Sequence, residues 1–384
     1  MIIKNGTVIT PYEKRKCDVR VANGIITEIG NIEANGEEII DATDLYVCPG
    51  LVDIHTHGGG GGDFMDATEE SFDKALGFHS KNGTTSLLAT SLTAPVDQVE
   101  DMICMVREYI KKTDTKCRIM GVHLEGPYIS YKNKGAQPES YLRVPSKDSY
   151  DFILDNKDVI RTVTLAPELD GAPKMIRDLV ENGIVVCGGH DDAEKKFVMP
   201  AIDAGLSHCT HLWCAMSTVA MRDGVRDIGL FEVGMLDDRL SVELIADNHH
   251  ITPDMARLVY KCKGADKMCV VSDCLRAGGM PMDGTLYYLG KTSHQFIVSD
   301  GVARLPDNTR YAGSIQPISQ MVRNLVNGAE IPLVDAIRTA SLTPAKVAKL
   351  DDKVGSISIG KYADFCFMDK NLNVVKTIVN GKEV

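Results

Sequence analysis

Short apolar runs alternating with longer amphipathic stretches set the pattern of this chain. Eight runs read as strands: Leu51–Ile54, Thr84–Leu88, Ile119–His123, Thr162–Leu165, Ile184–Cys187, His208–Cys209, Val242–Ile245 and Met268–Ser272. Most are separated by segments with helical character, among them Glu69–Ser80, Val96–Lys111, Pro173–Glu181 and Ala193–Ala204. At Thr252-Pro253 a cap residue is followed by a proline suited to a first helical turn. Alternation of this kind marks a parallel α/β sheet, and eight repeats of it predict a (β/α)8 barrel. The sixth run is the shortest, and pattern alone does not separate the barrel from an open doubly wound sheet.

The two ends of the chain read differently. Val19 and Val21, then Asn23-Gly24, then Ile25, Ile26 and Ile29 give apolar alternation broken by a tight hairpin signal. Asp364-Phe365-Cys366-Phe367, Val374-Val375 and Ile378-Val379, followed by Asn380-Gly381, repeat the theme near the other end. These stretches predict one small β-sandwich domain made from both ends, residues 1–50 and 345–384, beside a barrel of residues 51–344.

Composition narrows the function classes. The 384 residues are 44% hydrophobic and 25% charged with a formal charge of −11, which describes a globular protein and disfavours nucleic acid or an anionic membrane as partner. No run of about 18 apolar residues occurs and Met1–Gly6 leads straight into strand-like sequence, so a cytoplasmic enzyme is expected. The 11 cysteines are odd in number, scattered among aliphatic residues and never spaced Cys-x-x-Cys, so most are expected to be small core side chains.

Chemistry concentrates where the strands end. The first runs into His55-Thr56-His57, the third into His123-Leu124-Glu125, the fifth into Gly189-His190, the sixth into Thr210-His211, the seventh into Asp247-Asn248-His249-His250 and the eighth into Asp273. In a barrel these positions converge on one mouth. Residues two apart on an extended strand point the same way, so His55 and His57 can address one ion, and imidazole with carboxylate suits Zn²⁺, Fe²⁺ or Mn²⁺. A lone His-x-His is often a surface coincidence; the other strand-end groups make it part of a set. His79 and His294 are expected to be solvated, and His208 to be packed within its strand.

Several of these stretches carry a resemblance that runs in order over nearly the whole chain: Pro49–His57, Val122–Tyr128, Leu165–Glu168, Gly189-His190, Cys209–Leu212, Ile245–Asp247, Val271–Asp273 and Ala340–Ala345. The sequence resembles the amidohydrolase superfamily and, within it, is similar to the N-acetylglucosamine-6-phosphate deacetylases. His123-Leu124-Glu125-Gly126-Pro127 is the most specific stretch. The resemblance implies one divalent metal held by Glu125, His190 and His211, a second held with the help of His55 and His57, and Asp273 nearby as general acid and base. It also implies that His250 orients the acetamide carbonyl, and that Gln137, Cys214, Ala215 and Arg222 lie on the substrate side. His123 is expected behind the ligands, and a homodimer is implied because the family's arginine at the position of Arg222 reaches across to a partner's phosphate site. Without the family, Arg222 and Arg226 read as well as two solvated arginines beside Asp223 and Asp227.

Three substrate-side positions depart from the family pattern. Cys214 stands where an Asn is usual, Gln137 where a His is usual, and Asn248 where a Gly is usual. The expected activity is hydrolysis of the acetamide of N-acetylglucosamine-6-phosphate to glucosamine-6-phosphate and acetate. The alternatives are another N-acyl substrate: N-acetylgalactosamine-6-phosphate, an unphosphorylated N-acetyl amino sugar, or an N-acyl amino acid. A cyclic-amide hydrolase fits less well, since Thr164–Glu168 offers no lysine to bridge two metals, and a non-catalytic scaffold would not need the full set of ligands.

Overall fold

A computed structural model describes residues 1–146, 148–222, 224–307 and 310–384. Eight parallel strands form its central sheet: β1 (Leu51–Thr56), β2 (Thr84–Thr90), β3 (Arg118–Glu125), β4 (Ile160–Leu165), β5 (Val185–Gly188), β6 (His208–Cys209), β7 (Ser241–Leu244) and β8 (Met268–Val270). Each pairs with its sequence neighbours. The ring closes between its first and last members, where the Asp273 N–H donates to the His55 carbonyl and the His57 and Gly58 N–H groups donate to the Cys274 carbonyl. The expected barrel is therefore present, and the open-sheet alternative is excluded. Strands buried on both faces explain why they appear in the sequence as continuous apolar runs. The observed bounds differ from the pattern reading by one or two residues at most ends, β8 for example stopping at Val270.

Helices follow the strands: α1 (Glu69–Lys81), α2 (Val96–Lys111), α3 (Asp151–Asp155), α4 (Ala172–Glu181), α5 (Lys195–Asp203), α6 (Leu230–Leu236), α7 (Pro253–Lys263) and α8 (Ile318–Asn327). The Thr252 side chain caps α7 by accepting from the Met255 N–H, with Pro253 in the first turn as the sequence predicts. Among the described residues no helix is long and apolar enough to cross a membrane.

The chain ends build two further sheets. In one, Ile2–Lys4 lies between Asp18–Ala22 and Ile39–Asp41; in the other, Tyr46–Pro49 lies between Phe365–Met368 and Thr7–Ile9. Ile3, Val8, Val19, Phe365, Phe367 and Ile378 share a core of their own there. Asn23 and Gly24 both take left-handed angles, φ 52° and 74°, as a tight hairpin between twisted strands requires. Arg118 at the start of β3 pairs with Asp364 and lies 4.3 Å from the Tyr362 ring centroid, tying barrel to end sheet.

A four-stranded antiparallel sheet, Leu286–Tyr288, Gln295–Ser299, Val302–Arg304 and Tyr311–Gly313, extends from the loop after β8 and is not among the strands the pattern reading assigns. It returns the chain to the barrel mouth.

Candidate active site

All the strand-end groups arrive at one end of the barrel. β1 delivers His55 and His57, β3 ends on Glu125, and the turns after β5, β6 and β8 present His190, His211 and Asp273, all buried. Glu125 Oε1 lies 3.0 Å from His211 Nε2, 3.1 Å from His190 Nε2 and 3.4 Å from His55 Nε2. Its Oε2 is 3.4 Å from His57 Nε2, and Asp273 Oδ1 is 3.2 Å from the same nitrogen and 3.6 Å from His55 Nε2. The turns are sharp: His190, His211 and Asp273 have φ of 47°, 21° and 45°. For residues with a Cβ such angles persist only where the surroundings hold them.

Hydrogen bonds from behind decide what these imidazoles can do. His55 Nδ1 is 2.9 Å from Glu243 Oε2, and His190 Nδ1 is 3.0 Å from the Asn133 carbonyl oxygen. Both partners only accept, so both Nδ1 atoms carry a proton, and the Nε2 turned toward Glu125 carries either a second proton, which the surrounding carboxylates favour against burial, or, in a ring that ligates a metal, a lone pair. Lone pairs facing a buried carboxylate repel unless a cation sits between them. His55 Nε2, fully buried, makes no hydrogen bond among the described residues. Ligand atoms of His55, Glu125 and His211, and those of His55, His57 and Asp273, each lie within 4.8 Å of one another. This donor set fits a divalent metal. The same pressure acts on protons when no ion is present: burial opposes charge on His57, but Asp273 and Glu125 outweigh it and hold its pKa up at about 9.

Behind the ligands, the His123 ring meets the His55 ring edge to face at 4.5 Å, its Nε2 2.8 Å from Thr164 Oγ1. Burial, then the neighbouring His55, pushes its pKa well down, so it stays neutral. His79 corrects the sequence expectation. It is fully buried rather than solvated, with Nε2 3.0 Å from the Gly58 carbonyl oxygen, and burial lowers its pKa to about 4. His294 is half-buried and stands apart from the site, while His208 is buried in β6 as expected.

A cavity of about 490 Å³ opens above the donor set, bordered by Gln137, Cys214, Ala215 and His250. Asp247 fixes His250, accepting from its N–H and lying 2.8 Å from its Nδ1. Asn248, where a Gly is usual, takes φ 64°, a left-handed angle that Asn tolerates better than most residues. Gln137 is committed: it donates to Glu125 Oε2 at 2.6 Å and accepts from the Thr93 N–H at 2.7 Å. Arg222 is not brought into this cavity by its own chain. It sits on a hairpin, Ala220–Arg222 with Val225–Asp227, with its Nε 3.8 Å from Glu194, and Arg226 is exposed. Asp223 lies outside the described residues. All eleven cysteines are free and seven are buried, while Cys214 is half-buried at the cavity.

Glu243, Arg310 and Tyr311 are at or next to the site and escaped the sequence reading. Arg310 and Tyr311 line the cavity from the sheet after β8. A polar side chain inside the apolar run Val242–Ile245 was the available signal for Glu243.

The amidohydrolase family model matches residues 46–384. An N-acetylglucosamine-6-phosphate deacetylase of Haemophilus influenzae is 33% identical over 98% of this chain and 97% of its own length. An N-acetylgalactosamine-6-phosphate deacetylase of Escherichia coli O157:H7 is 30% identical over 95% of this chain and 93% of its own. Among solved structures, a mutant N-acetyl-D-glucosamine-6-phosphate deacetylase of Mycobacterium smegmatis in complex with N-acetyl-D-glucosamine-6-phosphate superposes with a TM-score of 0.91 at 30% identity, over 100% of this chain and 98% of that one.

Proposed function

The chain belongs to the amidohydrolase family, and from that premise we propose that it hydrolyses the acetamide of N-acetylglucosamine-6-phosphate, releasing glucosamine-6-phosphate and acetate. The observation that carries this reading is the fixed orientation of His55 and His190, whose Nε2 atoms face carboxylates and suit a divalent ion. Glu125, His190 and His211 would hold one ion of the Zn, Fe or Mn class, and His55 and His57 with Asp273 a second. Such an ion, when bound, supplies Lewis acidity and lowers the pKa of water. Asp273 takes a proton from the water as it attacks the carbonyl carbon, then gives it to the amine nitrogen as the C–N bond breaks. His250, braced by Asp247, orients the carbonyl oxygen.

Arg310 offers a guanidinium for the phosphate within the chain, and the Arg222 hairpin offers one to a second copy in a homodimer. The exposed Val219, Met221 and Val225 around that hairpin support an interface there. A cytoplasmic location suits a phosphorylated substrate.

The commitment of Gln137 to Glu125, and a thiol at Cys214, leave the sugar side with fewer free polar groups than the family pattern, and the N-acetylgalactosamine-6-phosphate deacetylase among the relatives makes that epimer the second candidate. Acetate release measured over a panel of N-acetylated sugars, with and without phosphate, tests both. The glucosamine derivative is expected to be turned over with weak discrimination against its epimer, and Cys214→Asn with Gln137→His should sharpen it. No turnover of any phosphorylated sugar by either protein would overturn the reading.

A further inference from the structure

Beneath the donor set, one carboxylate ties three strands together. Glu243 on β7 is 1% exposed. Its Oε2 lies 2.9 Å from Nδ1 of His55 on β1 and accepts from the backbone N–H of His211, after β6, at 3.1 Å. Its Oε1 is 3.2 Å from His208 Nε2, and His208 Nδ1 is 2.7 Å from Ser241 Oγ. A buried carboxylate costs several kcal/mol of lost hydration, so a barrel interior keeps one only where its donors are complete. Here two of the three donors belong to residues that would hold metal. Because Glu243 can only accept, it places a proton on His55 Nδ1 and leaves Nε2, toward Glu125 and Asp273, as the ligating atom. By holding the His211 N–H it also secures a turn whose φ of 21° is unfavourable for a residue with a side chain.

We infer that Glu243 is a positioning residue for the metal centre: it sets the tautomer and aim of His55 and pins the backbone of His211, so that affinity for the ion depends on a residue that does not touch it. This rests on the metal-centre reading above. The rival is that Glu243 and His208 form a structural pair filling the barrel.

The test uses Zn²⁺ titrated into metal-free protein against a chromophoric chelator. Glu243→Leu, which removes the acceptor, should weaken zinc affinity about 10–100-fold. Glu243→Gln should stay within a few-fold, since its amide oxygen can accept from His55 and His211 while its amide group donates to a bare His208 nitrogen. His208→Gln, which leaves the His55 contact alone, should bind zinc as the parent does. Equal losses in Glu243→Leu and His208→Gln, or no loss in either, would overturn the inference in favour of the structural pair. A parent that binds no zinc would instead overturn the metal-centre reading itself. Should Glu243→Leu fail to fold, ¹⁵N NMR of the His55 ring in zinc-loaded parent protein decides: a proton on Nδ1 supports the inference and a proton on Nε2 overturns it.

Discussion

Left-handed angles at His190, His211 and Asp273 show how the site is held at the scale of single residues, each costing on the order of 1 kcal/mol that neighbouring hydrogen bonds must offset. For Asp273 the offset is visible: its N–H donates to the His55 carbonyl and its carbonyl accepts from the Ser314 N–H. Asp273→Asn keeps that backbone frame and the side-chain volume but removes the proton acceptor. It should therefore fold, retain the ion held by Glu125, His190 and His211, and lose about 10²-fold or more of kcat. Elemental analysis beside steady-state kinetics checks this, and near-parental kcat would remove Asp273 as general base. His79 makes a separate prediction for the metal-free protein. Its Nε2–H donates to the Gly58 carbonyl and its Nδ1 is buried without a partner, so the folded state resists a second proton. With a folded pKa of about 4 against roughly 6.5 unfolded, the unfolded chain binds more protons between those values. His79 thus contributes stability that is full above pH 6.5 and lost as pH falls toward 4, by up to about 3 kcal/mol. Urea unfolding at stepped pH should show a shallower acid loss in His79→Gln; identical slopes would refute the assignment.

At the scale of elements, the sequence was most legible where one force acts alone. Barrel strands stand out because burial on both faces makes them apolar throughout, and the ligands stand out because each follows such a run. Glu243 lies inside such a run rather than after it, so the strand-end pattern passes over it although a charged residue in a strand buried on both faces is itself a signal. His79 was legible in principle: Phe72, Ala75 and Leu76 are buried on α1, and a helical repeat from them places His79 inward. The sheet after β8 had its own signal, Phe296 and Val298 alternating before the Asp300-Gly301 turn, but its outer strand leaves Leu286 and Tyr288 exposed and blurs the pattern. The Arg222 hairpin, with Val219, Met221 and Val225 exposed, likewise offers no buried face for a pattern to mark. Arg222→Ala should raise KM several-fold for a phosphorylated sugar and leave KM for the unphosphorylated one nearly unchanged. If the hairpin completes a second copy's pocket, mixed dimers of Arg222→Ala with Asp273→Asn should regain part of the activity, because one of their two pockets then has both groups. No regain in verified mixed dimers would confine the hairpin to its own subunit.

For the molecule as a whole, the Arg118–Asp364 pair ties the barrel to the end sheet, and the pairing of Tyr46–Pro49 with Phe365–Met368 joins the two chain ends. Deleting residues 365–384 should accordingly yield protein that aggregates rather than a clean barrel, since it bares the Tyr46–Pro49 edge and the side chains of Val8 and Val47. A monodisperse, active truncated protein on size-exclusion chromatography would contradict this. The same pairing has a consequence in time. Cys48 and Cys366 face each other across the sheet, yet at about 5–20 residues per second a ribosome needs roughly 15–60 s to make the second after the first. On the outer side, the strand Lys14–Lys16 carries three cations that discourage stray pairing, but the inner edge that waits for Phe365–Met368 is lined by Val47 and Cys48. The nascent chain thus carries an open apolar edge through most of its synthesis, until its late partner strand is made.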